Sequence, residues 1–590
     1  MVRTVTAVFL LGLFAASLQS AASAAPGRPV AATRSAERQG RSPALARTSY
    51  NATVTSFDGT AIAITVFVPH LPANTTAPLI VQQPGWGGTR FTSLDGINAG
   101  SIPTDYALKM AYDEGYFVIS YDPRGFGGSG GKAHVMSPRF EGKDIIAILN
   151  WAQANLGPQL AYQNGKPVVG AIGYSYGGGF QLLGAALDPR FVAIVPTATW
   201  NYLPYSLDPS GDPKSIWLDL LFGTGLEASE GRYARPVYQG YEEAQTGTVD
   251  QSVLNFLAPN GLNGFCNGTE GTGIPHVSAF LVQGAGDTLF NMNEALANAA
   301  CLRSVGNDVR LLIQRQGHTL PILQVPTPGS AFGFSIDHHV QCGSANYDTA
   351  HMMLSFLDEK LRGVPSGIPV PENCIVQDDT HGLVVTSIPV GGTSATVPST
   401  EVIGSPLANA VIGQLQTQTI AEVKAELKPL RKNVVALVLA VLAGLESPSS
   451  LNEDVLYEIL EVLPPQLVSD VFAPESIVPL YTSSAGGPLA GVPTMNLQVT
   501  ADLPSTLPIA YFGIGVRHQN GSQTVLVDSQ LTPIRGAGTY QQNMVGISTQ
   551  LRPGDQVDLL IYGYHPQYLN DLDAVPVPFH VSGTVALPLD

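Results

Sequence analysis

The sequence predicts an α/β protein: a mostly parallel, doubly wound sheet with an inserted cap, followed by an all-β part that carries a helical insertion. Three observations predict it. Short apolar strands alternate with helices from about Pro78 to Leu361, as in parallel sheets covered on both faces. The alternation breaks from Trp200 to about Gly273, where aromatics, prolines and scattered acids suit a cap. From Thr494 onward the chain is short strands and turns, the pattern of a β-sandwich.

The elements follow in order. Thr53 to Ser56 and Ala61 to Val68 flank Asp58-Gly59, a hairpin signal. Pro78 to Gln82 is an apolar strand that ends in Pro84-Gly85-Trp86-Gly87-Gly88. Asp105 to Gly115 reads as a helix closed by glycine, and "YFVISYDPRGFGGSGG" as a strand with a glycine-rich loop. Phe140 to Leu156 carries apolar residues at helical spacing. "PVVGAIGY" is a strand, "GGFQLLGAAL" a helix and Phe191 to Thr199 a strand. Beyond the cap, Val277 to Asp287 and Asp308 to His318 are strands with the helix "NEALANAACLRSV" between them. Asn346 to Leu361 is a closing helix. Leu383 to Val402 has β texture, and a helical stretch runs from about 406 to 472. Within it the apolar segment Asn433 to Leu445 is too short to cross a membrane; packing against the α/β part is expected, with lipid or a partner subunit as alternatives. The expected divisions are 1–24, 25–48, 49–375 with the cap at about 200–273, and 376–590.

The 590 residues are 44% hydrophobic and 13% charged, which describes a folded chain of two or three domains. A net charge of −17 excludes a nucleic-acid binder, whose partner requires a basic surface. Arg3, the apolar run Ala7 to Ser17 and Ala22-Ser23-Ala24 read as an export signal with its cleavage site. An Ala, Arg, Pro and Ser-rich leader extends to about Thr48. The expected localisation is secreted or periplasmic, with no transmembrane span in the mature chain. Cys266, Cys301, Cys342 and Cys374 then point to disulfides. Their nearness favours Cys266–Cys301 and Cys342–Cys374; four buried thiols are the alternative. Zinc-type spacing is missing. Asn51, Asn74, Asn267 and Asn520 head N-x-S/T triplets, which matter only in a glycosylating host.

The pattern G-x-S-x-G occurs twice, around Ser129 and around Ser175. Only Ser175 directly follows an apolar strand and precedes a helix. Such a sharp turn requires small neighbours and lifts the hydroxyl above the strand ends. Ser129 lies several residues past its strand and reads as a loop residue. A serine hydroxyl requires a base, and the base an orienting acid. Asp287 and His318 supply them in the order Ser, Asp, His, each after a strand and a glycine. Asp308 and Asp337 are weaker rivals for the acid. His338 and His339 follow no apolar strand, and His276 lies at the wrong end of one. The oxyanion donors expected are the backbone N–H groups of Trp86 and Tyr176, with Gly87 the next choice for the first.

With these residues the chain resembles the α/β-hydrolases that include X-Pro dipeptidyl-peptidases, cocaine esterase and α-amino-acid ester hydrolases. The resemblance rests on "FDGTAIAITVFVP", "YDPRGFGGSGG", the elbow "GYSYGG", and the order catalytic domain, cap, C-terminal sandwich. It implies an α/β-hydrolase fold and a C-terminal sandwich of galactose-binding-like or jelly-roll type. There are departures. "PGWGG" stands where many members carry a tyrosine oxyanion donor, and "RQGHTLP" stands where the family often has G-P-W-x-H-G.

The expectation is a serine hydrolase that cleaves an ester or amide through an acyl-enzyme, needing neither metal nor organic cofactor. Arg124 is expected to brace the loop beside the site. A dipeptidyl-peptidase requires an acid for the substrate's amine, and Glu227, Glu230, Glu242 and Glu243 of the cap show no sign of being it. A broad esterase or acyl hydrolase is therefore placed slightly ahead of an X-Pro dipeptidyl-peptidase. The alternative of another class is a glycan- or surface-binding protein acting through the C-terminal sandwich. The substrate is a small ester, amide or peptide in the first two readings, and the oligomeric state stays open.

Overall fold

The structure is a computed structural model that describes residues 44–271, 273–319, 333–365, 367–402, 474–501, 508–519, 521, 523–563, 565–568 and 578–589. The export signal, most of the leader, Asn520 and the helical stretch at 406–472 lie outside the described residues.

Ten strands form the large sheet: β1 Thr48–Thr55, β2 Ala61–Val68, β3 Leu79–Gln82, β4 Phe117–Tyr121, β5 Val169–Tyr174, β6 Phe191–Thr197, β7 Ser278–Gly284, β8 Val309–Gln314, β9 Asn373–Val376 and β10 Gly382–Val384. Their order is β1-β2-β4-β3-β5-β6-β7-β8-β9-β10. Neighbours from β4 through β9 are parallel, and antiparallel pairs lie only at the two margins. Central strands are buried on both faces and so lack an alternating polar side. Every residue of β3 and β4 is buried.

Helices Glu141–Leu156 and Tyr176–Leu187 cover one face, through Ile145, Ile148, Phe180 and Leu183. Helices Pro103–Asp113 and Thr349–Arg362 cover the other, through Leu108, Ala111, Met353 and Phe356. The chain passes from β3 out to β4 and back across to β5. This reversal puts a topological switch point at the carboxyl end of β5, where open α/β sheets form their sites.

The cap lies between β6 and β7. It comprises helices Leu203–Leu207, Ser215–Ala228, Arg235–Ala244, Gln251–Leu257 and Asn263–Cys266. Cys266, at its end, is bonded to Cys301 in the helix after β7. A second disulfide joins Cys342 to Cys374 at the start of β9.

Two details correct the sequence reading. The large sheet does not stop at 375: β10 adds a last antiparallel strand through Val384, too short to carry a readable period. The closing helix starts at Thr349 rather than Asn346, because Ala345–Asp348 pairs with His339–Cys342 as a hairpin. Asp348 then caps the helix by accepting the His351 N–H at 2.9 Å.

The C-terminal part is β-rich. One antiparallel sheet orders Thr393–Val402, Phe579–Leu587, Thr494–Ala501 and Gly538–Asn543. The other is built on Ser476–Thr482, Gln556–Tyr562 and Ile509–Arg517. Val397, Leu497 and Val581 from the first share one core with Phe512, Leu559 and Ile561 from the second. Among the described residues no helix is long and apolar enough to cross a membrane.

Candidate active site

Ser175 stands between β5 and helix Tyr176–Leu187, with φ 56° and ψ −121°. A non-glycine residue in that region is strained and persists only where its surroundings hold it. The Ser175 N–H donates to Thr197 O at 2.9 Å, and Ser175 O accepts the N–H groups of Gly178 and Gly179 and the Thr199 hydroxyl. The helix starts so close to the end of β3 that a Cβ on Gly177 would lie 2.1 Å from Gln83 O. Only glycine fits there. We expect Gly177→Ala to lose about 1–3 kcal/mol or more of stability, read by denaturant unfolding, with activity falling as the elbow is displaced.

Ser129 is held inside its loop at 1% exposure. Its hydroxyl accepts from the Ala63 N–H at 2.9 Å and donates to Asp122 O at 2.7 Å inside the glycine-rich loop. Arg124 in the same loop is buried. It binds Asp144 at 2.8 and 2.6 Å and Asp58 at 2.7 and 3.2 Å, beside the rings of Phe57 and Phe140. Its hydrogen bonds hold the Asp58 carboxyl well below the usual range. These two carboxylates occupy Arg124, which fits a brace rather than a substrate contact.

Asp287 and His318 follow β7 and β8 and meet above the sheet. His318 Nδ1 and Asp287 Oδ2 are 2.7 Å apart. Asp287 is fully buried and His318 is 7% exposed. The other carboxylate oxygen, Oδ1, accepts the N–H groups of Leu289 at 3.0 Å and Phe290 at 2.7 Å. Oδ2 is thereby aimed at the imidazole. A buried carboxylate partner places the imidazole proton on Nδ1 and leaves Nε2 with a lone pair. The glycines before these residues have steric causes. A Cβ on Gly317 would come within 2.5 Å of Asp287 Cβ, and one on Gly286 within 2.8 Å of Arg315 O. Phe290 and Phe334 flank the imidazole at ring-centroid distances of 5.3 and 4.8 Å.

The rivals are placed elsewhere. Asp308 pairs with Arg310 and Lys360, and Asp337 accepts the Arg315 N–H at 2.9 Å. His276 is exposed at the start of β7, and His339 is exposed in the hairpin.

Trp86 and Tyr176 border Ser175. The Trp86 indole donates to Leu221 O of the cap at 2.8 Å, and its ring meets Tyr176 edge-on at 5.0 Å. The side chain therefore packs and ties the β3 loop to the cap. Among the described residues neither the Trp86 nor the Tyr176 backbone N–H is given to an intramolecular acceptor.

Ser175 opens into an apolar cavity of about 120 Å³ beneath the cap, walled by Trp86, Leu218, Phe222, Val253 and Phe290. One acid lines it, Asp208. Burial pushes its carboxyl up to about 7, and its Oδ1 finds no partner among the described residues. The sequence reading missed Asp208. It looked for acids on the cap helices, but Glu227, Glu230 and Glu242 are exposed and none of the four lines the cavity. Asp208 lies in the turn "LDPSGD" before those helices, and only the folding of the cap brings it over the site.

Sheet order and elbow are those of the α/β-hydrolase fold. Within that fold it resembles the X-Pro dipeptidyl-peptidase group: residues 58–254, about a third of the chain, match the family model of X-Pro dipeptidyl-peptidase (S15 family). That likeness is to hydrolases of the serine type. The match includes Ser175 and ends before Asp287. Three solved structures are similar over 92% of this chain. An α-amino acid ester hydrolase has a TM-score of 0.56 at 12% identity and is covered over 97% of its length. A CocE/NonD family hydrolase from Staphylococcus aureus has 0.55 at 12%, covered over 94%. An aminopeptidase from a marine sediment Thaumarchaeota archaeon has 0.57 at 13%, covered over 96%. At such identities the likeness is one of fold. An uncharacterised 31.7 kDa protein of Escherichia coli is 33% identical over 135 residues, 23% of this chain. The chain spans about two-fifths of the length of that relative, 41%.

Proposed function

We propose that the chain is an exported serine hydrolase that cleaves small esters or amides through an acyl-enzyme. One observation carries the reading: a strained serine faces an apolar cavity at the sheet edge that also bears a buried His–Asp pair 2.7 Å apart. Ser175 Oγ attacks the substrate carbonyl as His318 Nε2 takes its proton. Asp287 fixes the imidazole and stabilises the imidazolium. The Trp86 and Tyr176 N–H groups receive the oxyanion, aided by the helix N-terminus. His318 returns the proton to the leaving group, and water repeats the sequence on the acyl-enzyme. The signal-like N-terminus and two disulfides support export.

The apolar walls suit a short acyl chain, which favours an esterase or acyl hydrolase. A fluorophosphonate probe tests this reading: it is expected to label the chain once, at Ser175, in step with loss of p-nitrophenyl butyrate hydrolysis. Labelling elsewhere, or none, would sink the reading.

Asp208 favours a second reading, in which the acyl part carries a free amine, as in an aminopeptidase, a dipeptidyl-peptidase or an amino-acid ester hydrolase. A cationic amine would satisfy the unpartnered Oδ1. Asp208 is ionised above about 7, and an α-amine stays protonated below about 8. The ion pair is therefore confined to the window between them, broadened as binding stabilises both charges. On this reading, KM for an alanyl ester falls as pH rises from 6 to 7.5 while KM for the butyrate ester stays flat. Asp208→Asn raises the alanyl KM about tenfold or more and spares the butyrate. Equal effects on both esters would exclude the anchor. The C-terminal sheets, which read as a galactose-binding-like sandwich, would then serve the hydrolase rather than act alone.

A further inference from the structure

We infer that Gln530, from the C-terminal sheets, and Lys214, from the start of the cap, are positioning residues that fasten the acid-bearing loop by its carbonyls. The inference rests on the catalytic reading above.

The loop 285–290 leaves β7 and belongs to no ladder, so each buried carbonyl requires a donor from somewhere else. The donors come from far along the chain. Gln530 Nε2 donates to Ala285 O at 2.6 Å and to Asp287 O at 3.0 Å. Lys214 Nζ donates to Thr288 O at 2.8 Å and to Leu289 O at 3.0 Å. Gln567 Nε2 adds a bond of 3.3 Å to Thr288 O. Gln530, Lys214, Asp287 and Thr288 are all at least nine-tenths buried.

The loop path sets the acid. Asp287 Oδ1 is tied to the N–H groups of Leu289 and Phe290, so the plane of the carboxylate follows peptides 288–289 and 289–290. Lys214 grips those same two peptides through the Thr288 and Leu289 carbonyls, and Gln530 holds peptides 285–286 and 287–288, just before them, through the Ala285 and Asp287 carbonyls. A displacement of the loop would carry Oδ2 away from His318 Nδ1. An interface bond with no such role could reach any exposed carbonyl; Gln530 instead bridges two buried ones, that of Asp287 itself and that of Ala285 two residues before it. The turn that delivers it is strained, with φ of 54° at Asp528 and 56° at Ser529. That turn is pinned by the Ser548 N–H, which donates to Asp528 Oδ2 at 2.6 Å. The β-rich part thus completes the acid loop rather than sitting beside it.

Gln530→Met and Lys214→Met keep length and remove the donors. In each full-length variant, kcat and KM for p-nitrophenyl butyrate are measured per active site, with sites counted by phosphonate burst. Amide hydrogen exchange of the peptide spanning 285–291 is followed alongside. The expected result is a kcat lower by about 10- to 100-fold, a KM within about twofold, and loop exchange faster by about tenfold. Gln530→Glu, which faces two carbonyls with an acceptor, is expected to be worse than Gln530→Met. Unchanged kcat per active site in folded protein overturns the inference, as does a loss that only follows the unfolded fraction. A wild type that neither hydrolyses nor labels at Ser175 would instead refute the catalytic reading. The exchange data would then decide the fastening alone, and unchanged exchange would overturn it.

Discussion

Ser175→Ala is expected to lower kcat/KM for p-nitrophenyl butyrate by about 10⁴-fold or more while leaving the fold in place. The separation of the two effects follows from the bonds at the elbow. Those that hold Ser175 run through its backbone: its N–H to Thr197 O, and its carbonyl to Gly178, Gly179 and Thr199. Alanine keeps all of them and differs little from serine in its tolerance of φ 56°. The melting temperature should therefore shift by no more than a few degrees, and the loss should be one of chemistry. The residual rate reports the cavity and the oxyanion donors acting on water alone. If the variant hydrolysed the ester at the wild-type rate, the nucleophile would lie elsewhere and the Ser175 mechanism would fall. If biological activity persisted without hydrolysis, the binding reading for the C-terminal sheets would gain.

What the sequence could show of this site depended on how local each constraint is. The elbow was legible because strand, glycines and helix are contiguous, so the steric demand at Gly177 is written beside Ser175. Asp287 and His318 were legible through their strands and the glycines near them. Gly317 and Gly286 are small because the segments that leave β7 and β8 run so close that a Cβ would strike Asp287 or the Arg315 carbonyl. Asp208 was not legible. Its place on the cavity wall depends on a turn folding back over the sheet, and an acid in a Pro-Ser-Gly turn looks like a solvated one. Gln530 was hidden further still, lying 243 residues beyond Asp287, the residue whose carbonyl it holds. Short edge strands such as β10 and the hairpin at 339–348 carry too few residues for a period of two to stand out from a helix start. The cap residue Asp348 was a usable signal that the helix begins there.

Asp287→Asn should be nearly as severe as removing the nucleophile, with a fall in kcat of about 10⁴-fold at neutral pH, the size seen for the corresponding change in a serine protease. The direction follows from the loop. Oδ1 accepts the Leu289 and Phe290 N–H groups, so an asparagine keeps its carbonyl oxygen on that side. Its NH₂ then replaces Oδ2 opposite His318 Nδ1, 2.7 Å away in the native pair. A donor there forces Nδ1 to become the acceptor and moves the imidazole proton to Nε2. The base now presents a hydrogen to Ser175 where it should present a lone pair. Shape and stability are little changed, since every backbone bond of the loop survives. The loss should shrink as pH rises, because hydroxide can take the serine proton when the imidazole cannot. A pH–rate profile of Asp287→Asn between 7 and 10 measures this. A flat profile, or a kcat close to wild type, would show that Asp287 does not set the tautomer and that another acid orients the base.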